Sequence, residues 1–203
     1  VFMSKSLKRL VIDSATKFLY VAVFDDNKCL SKYYAEGNND HSVKLMTEIE
    51  KSLIENNLKV KDLDEIIVGI GPGSYTGLRI GVVVAKMFGW NNNIPVKTIS
   101  SLALMASSVN RDTAILSEID ARRGNSFLGL FTLKNGELYV ADEEQLTNLE
   151  EYKATIETEY EVVSIGEPNM EIILNSDLLT LVEDIHSLNP NYLRLTEAER
   201  NLK

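Results

Sequence analysis

The reading of this chain turns on "VGIGPGSYTGLRIGVVVAKMFGW", residues 68–90. Gly69, Gly71, Pro72, Gly73 and Gly77 crowd its start, and an almost wholly apolar run follows. The preceding "DEIIVGIG", residues 64–71, reads as a buried strand, and the run from Thr76 to Trp90 reads as a helix. A glycine turn between strand and helix is a common phosphate site, because helix N-termini present unpaired amides. The known phosphate fingerprints fail here. A P-loop needs Gly-Lys-Ser/Thr, but Gly77 is followed by Leu78 and Arg79. The Gly-x-Gly-x-x-Gly spacing meets Ser74 or Thr76 where its third glycine belongs. Pro72 also removes one amide from the turn.

The helix after the turn has two apolar sides. Gly77 and Gly81 are four residues apart, so they share a face, continued by Val84, Ala85 and Phe88. Glycine costs up to about 1 kcal/mol inside a helix, so Gly81 implies that another backbone lies close. The other side carries Ile80, Val83, Met87 and Trp90. A helix apolar all round is covered on both sides. Either both covers come from this chain, or one comes from a partner, shared with the helix at 40–57, "DHSVKLMTEIEKSLIENN".

Outward from the turn, the order is β-β-β-α-β-α-β-α. "LKRLVID" (7–13) and a hairpin over 18–36 precede the first helix. "IPVKTIS" (94–100) and "SLALMASSV" (101–109) follow the second. "AILSEID" (114–120) then echoes "KRLVID", and the hairpin over 125–144 echoes the one after Asp13. An acidic helix near 147–158, a strand at 160–166 and a helix over 168–175 complete a second copy, and "LLTLVEDI" (178–185) fits helix or strand. The expectation is an α/β, two-lobed, actin-like (ribonuclease H-like) fold. It duplicates a βββαβα unit, with a first lobe over 3–108 and a reduced second lobe over 109–203.

Composition narrows the chemistry. The 203 residues are 44% apolar with a net charge of −9, which is globular composition rather than disorder. Residues 1–100 balance at +2 (13 Lys/Arg, 11 Asp/Glu) and residues 101–203 at −11 (8 and 19). A second half this acidic argues against a broad RNA-binding face. A single cysteine, Cys29, and two histidines, His41 and His186, make no zinc site of the usual type. Ser74 directly follows Gly73, so no Gly-x-Ser-x-Gly elbow exists. His41, at a helix start, is expected to cap or to lie at the surface. One cysteine and no apolar run of about 18 residues lead to the expectation of a cytoplasmic protein without a membrane span.

Quoted whole, "DEIIVGIGPGSYTGLRIGVVVAKMFGW" resembles the signature of the TsaB (YeaZ) family. "LVIDSATKFLYVAVF", "HSVKLMTEIEKSL", "TISSLALMA", "IDARRGNSF" and "NYLRLTEAE" agree with it. The resemblance implies a non-catalytic scaffold subunit of the bacterial complex that attaches threonylcarbamoyl to adenosine beside the tRNA anticodon. It implies a TsaD-like catalytic paralogue as partner, a TsaE-like ATPase in the assembly, and a homodimer when the chain is alone. tRNA is then reached through the complex rather than directly. The implied interface is Val43, Met46 and Glu50 on the first helix, with Gly77, Ile80, Gly81, Val84, Ala85 and Phe88 on the second. Asp13, Thr16, Gly71, Gly73 and Ser74 are the candidates for a vestigial phosphate site. No metal and no cofactor are expected on this chain alone, with ATP or ADP left to the assembled complex. The rival expectation is a small actin-like ATPase or kinase using Asp13, Thr16 and the glycine turn.

Overall fold

The computed structural model describes residues 6–37 and 40–193. Three apolar segments form the middle of a first sheet: β1 (Lys8–Asp13), β2 (Phe18–Asp25) and β4 (Glu65–Gly69). Their runs are continuous rather than alternating because both faces are covered. Leu10, Ile12, Leu19, Val21, Val23, Ile66 and Val68 point to one side, where α1 (His41–Glu55) and α2 (Tyr75–Asn92) lie. Val11, Tyr20, Ala22, Phe24 and Ile67 point to the other, where α3 (Ser101–Ala106) lies. β3 (Lys28–Glu36) and β5 (Val96–Ile99) flank these strands.

The second sheet is built from β6 (Thr113–Asp120), β7 (Asn125–Lys134), β8 (Glu137–Asn148) and β9 (Tyr160–Val163). Its order, β8-β7-β6-β9, repeats the β3-β2-β1-β4 order of the first. In each copy the first two pairings are antiparallel and the third parallel. The expected duplication of a two-lobed actin-like α/β fold is therefore present, and among the described residues the second lobe has no equivalent of β5. α3 packs between the lobes in one core with Ile115, Phe127 and Phe131. α4 (Leu149–Lys153) and α5 (Met170–Leu174) are single turns. The acidic helix read over 147–158 shrinks to α4 because β8 pairs with β7 as far as Asn148.

Sheet membership crosses the expected boundary between lobes. β10 (Thr180–Leu181), from "LLTLVEDI", pairs antiparallel with β5 of the first sheet. The chain then runs back along α2. Lys86 Nζ donates to the carbonyls of His186 (2.7 Å) and Leu188 (3.2 Å). The Asn191 amide reaches the Ile70 carbonyl at 2.7 Å, and Arg79 Nε donates to the Tyr192 hydroxyl at 3.0 Å. Of "NYLRLTEAE", residues 194–199 lie outside the described residues. Among the described residues no helix is long and apolar enough to cross a membrane.

Candidate functional site

The glycine turn is filled by its own chain. After β1 the backbone turns at Asp13–Thr16 and lies directly on the start of α2. A β-carbon on Gly73 would stand 2.3 Å from the Ala15 carbonyl oxygen, and one on Gly77 would stand 2.1 Å from that of Ser14. A β-carbon on Gly81 would stand 2.6 Å from Ser14 Oγ. These distances are below any real carbon–oxygen contact, so only glycine allows the approach. Ser14 Oγ donates to the Gly77 carbonyl at 2.7 Å, and the Ser74 amide donates to the Ala15 carbonyl at 2.7 Å. The Gly71 amide goes to Ser101 Oγ at 3.1 Å, and the Gly77 amide to Ser74 Oγ, the helix cap, at 3.3 Å.

The amides of Gly71, Ser74 and Gly77 are thus engaged by Ser101, Ala15 and Ser74, and these three have no bond left for an anion. Asp13 and Thr16 do border one cavity with Ser101, Tyr34 and Gly166, but its volume is about 30 Å³, room for one water. Asp13 Oδ1 accepts from the Ala15 amide and from Ser101 Oγ, both at 3.0 Å. Burial pushes its carboxyl up to about 6, against the hydrogen bonds from Ala15 and Ser101 that lower it. His41 is buried rather than superficial: its Nε2 donates to the Thr16 carbonyl at 3.0 Å. Among the described residues no group of three or more His, Cys, Asp or Glu could hold a metal ion.

The same contacts correct part of the expected interface. Gly77, Gly81, Val84, Ala85 and Phe88 are buried within this chain, against β1, β4 and the Asp13–Thr16 turn. At Gly81 the close group is the Ser14 side chain rather than a backbone; a close backbone, the chain's own, meets Gly77 instead. Ile80 lies half-buried at the edge. Val43, Met46 and Glu50 stand exposed on the outer side of α1, with Ile54 two turns beyond Met46. On α2 the exposed apolar side chains are Val83 (59%), Met87 (46%) and Trp90 (62%), spaced four and three residues apart. α1 and α2 lie on one face of the sheet, and each leaves apolar side chains exposed: Val43, Met46 and Ile54 on α1, and Val83, Met87 and Trp90 on α2, where Trp90 meets His186 edge-on. Val83, Met87 and Trp90 were visible in the sequence as the second apolar side of the helix. What decides between the sides is the contact of Ser14 with α2, which no local pattern encodes.

Comparison with known proteins places this geometry. Residues 35–176 match the family described as TsaD: tRNA N6-adenosine threonylcarbamoyltransferase. The chain is 32% identical to the tRNA threonylcarbamoyladenosine biosynthesis protein TsaB of Bacillus subtilis (strain 168), over 94% of this chain and 95% of that one. It is 28% identical to TsaB of Escherichia coli (strain K12), over 60% of this chain and 53% of that one. The fold superposes on YeaZ from Pseudomonas aeruginosa with a TM-score of 0.71 at 24% identity, covering 77% of this chain and 75% of that one. A second solved structure, described as similar to peptidase YeaZ from the same organism, gives 0.78 at 21% identity, covering 93% and 100%.

Proposed function

Because the chain belongs to the TsaB (YeaZ) family of tRNA threonylcarbamoyladenosine biosynthesis proteins, we propose that it acts there as a non-catalytic scaffold subunit. Its partner in this reading is a TsaD-type paralogue, and a TsaE-type ATPase joins the assembly. The observation that carries the proposal is the division of α2. Its glycine face is sealed by the chain's own Asp13–Thr16 turn, while Val83, Met87 and Trp90 stay exposed, as do Val43, Met46 and Ile54 on the neighbouring α1. A cleft filled to about 30 Å³ supports the absence of nucleotide turnover by this chain alone. The match of residues 35–176 to the TsaD family supports a paralogous partner. Two chains of one fold can place equivalent helix pairs against each other, and the same surface pairs two copies of this chain when the paralogue is missing. Docking then stabilises the catalytic subunit in its active form, in the cytoplasm where tRNA is modified.

The test is Val83→Arg and Met87→Glu, each assayed by co-purification and sedimentation with the TsaD-type partner. An unpaired charge in the centre of an apolar interface costs about 2–4 kcal/mol, a loss of roughly 30- to 1,000-fold in affinity. Both positions are exposed, so the melting temperature should stay within about 2 °C of wild type. Unchanged partner affinity in both variants would remove the helix pair as the docking surface.

A further inference from the structure

Three tight hairpin turns in this chain hold residues at positive φ, and two of them use the residues such turns prefer. The β2–β3 turn has Asp26 (φ 49°), and the β7–β8 turn has Asn135 (φ 53°) and Gly136 (φ 79°). Asp, Asn and Gly tolerate that region; other residues are disfavoured there. The β6–β7 turn departs from the pattern. Arg122 (φ 67°) and Arg123 (φ 57°) are both left-handed, followed by Gly124 (φ 77°). Two adjacent arginines in this conformation are a local strain that the fold itself does not need, since Asn or Gly would fit better.

The turn is held firmly. Asp120 Oδ1 accepts from the Arg122 amide at 2.7 Å, as Asp13 Oδ1 accepts from Ala15 in the first copy. The Ala121 amide bonds the Asn125 carbonyl at 2.9 Å, and Asn148 Nδ2 bonds the Gly124 carbonyl at 3.2 Å. Both arginine side chains are exposed, and neither guanidinium has a hydrogen bond or ion pair among the described residues. The same holds for Lys134 in this lobe. Residues 109–193 hold five Lys or Arg against 17 Asp or Glu, so carboxylate partners abound. Arg111 is paired with Glu161 and Lys153 with Glu150. The arginine turn follows β6, in which Glu118, four residues before Arg122, accepts from Ser164 Oγ at 3.2 Å.

We infer that Arg122 and Arg123 form a rigid two-point contact for phosphates of the RNA backbone. The inference rests on the proposed role in tRNA modification, and it departs from the expectation that this chain meets tRNA only through its partner. Guanidinium pairs suit phosphate oxygens through bidentate hydrogen bonds. The turn is exposed rather than enclosed, so it fits a phosphate presented by a large ligand. It reads no base, and it adds two phosphate contacts to an otherwise acidic lobe.

The experiment measures fluorescence anisotropy of an unmodified tRNA transcript with this chain in complex with its TsaD-type partner. Wild type is compared with the double variant Arg122→Asn/Arg123→Asn. Two phosphate contacts lower the salt slope by about 1.4–1.8, so the affinity advantage of wild type should shrink about tenfold between 50 and 200 mM salt. The variant should melt no lower than wild type, because Asn relieves the positive-φ strain, and Arg122→Lys/Arg123→Lys should keep most of the salt slope. Equal affinity and slope for wild type and the Asn variant overturn the inference while leaving the scaffold role intact. A lower melting temperature in the Asn variant overturns it as well, since the arginines would then serve the fold. ATP that competes through the same arginines as tightly as tRNA transfers the contact to a small phosphate ligand and removes the RNA assignment. Complex formation is read separately by co-purification, and its failure refutes the scaffold role itself.

Discussion

Gly81→Ala tests the packing on which the choice of helix face depends. Helix propensity alone says that the change stabilises by up to about 1 kcal/mol. The tertiary structure says the opposite. The new β-carbon would stand 2.6 Å from Ser14 Oγ, where ordinary van der Waals contact begins near 3.4 Å. Ser14 is 1% exposed and donates to the Gly77 carbonyl at 2.7 Å. Either Ser14 rotates and leaves a buried hydroxyl without its bond, at about 1–3 kcal/mol, or α2 shifts outward, at about 1–3 kcal/mol. Against the propensity gain, the net destabilisation is about 1 kcal/mol, rising to about 3 if both occur. Urea unfolding followed by circular dichroism reads it as a midpoint lowered by about 0.5–1.5 M at unchanged slope. A double-mutant cycle with Ser14→Ala isolates the contact. Ser14 Cβ would lie 3.8 Å from the new methyl, an ordinary distance, so removing the hydroxyl should recover at least about 1 kcal/mol. A neutral or stabilising Gly81→Ala refutes the close approach, and with it the assignment of the outer face to the partner.

The other predictions concern the residues once read as a phosphate site. Asp13 carries a carboxyl pushed by burial from 3.8 to about 6, so the folded state holds this proton more tightly than the unfolded chain. The stabilisation from that proton is fully present below about pH 3.8 and is lost as pH rises through about 6, a contribution of about 3 kcal/mol. Asp13→Asn keeps an oxygen for Ala15 and Ser101, so its melting temperature at pH 7.5 should rise by several degrees and its pH dependence between 4 and 6 should flatten. A variant that melts lower at every pH refutes the burial penalty. Calorimetry with ATP and magnesium on the isolated chain should give no binding heat that Asp13→Asn abolishes, because the cavity beside Asp13 and Thr16, about 30 Å³, cannot admit a nucleotide. One-to-one binding with turnover would favour the actin-like ATPase reading instead.

Much of the architecture was legible from local pattern. Val43, Met46, Ile49 and Leu53 recur at helical spacing, and α1 forms there, with Ile49 and Leu53 buried and Val43 and Met46 exposed. The echo of "KRLVID" in "AILSEID" anticipated two sheets of one topology. Short or irregular pieces were less legible. β10 is only two residues long, and its strand character comes from the open edge of β5 rather than from "LLTLVEDI" itself. The sequence leaves His41 as a cap or a surface residue because a lone histidine at a helix start carries no pattern. Its burial depends on the Thr16 carbonyl, 25 residues earlier.

Sequence alone determined that residues 68–90 turn tightly into a helix apolar on all sides, and that the turn lacks the lysine and glycine spacing of a phosphate loop. It determined the duplication and the family resemblance as well, since these depend on residue types at short spacing. Only the tertiary structure decided what the glycines admit. The β1–β2 turn lies on Gly73, Gly77 and Gly81 because strand β1 sits beside β4 in the sheet, a pairing between residues more than 50 positions apart. That long-range contact seals one face of α2 and engages the amides of the turn. The apolar side chains on the far side, Val83, Met87 and Trp90, stay exposed.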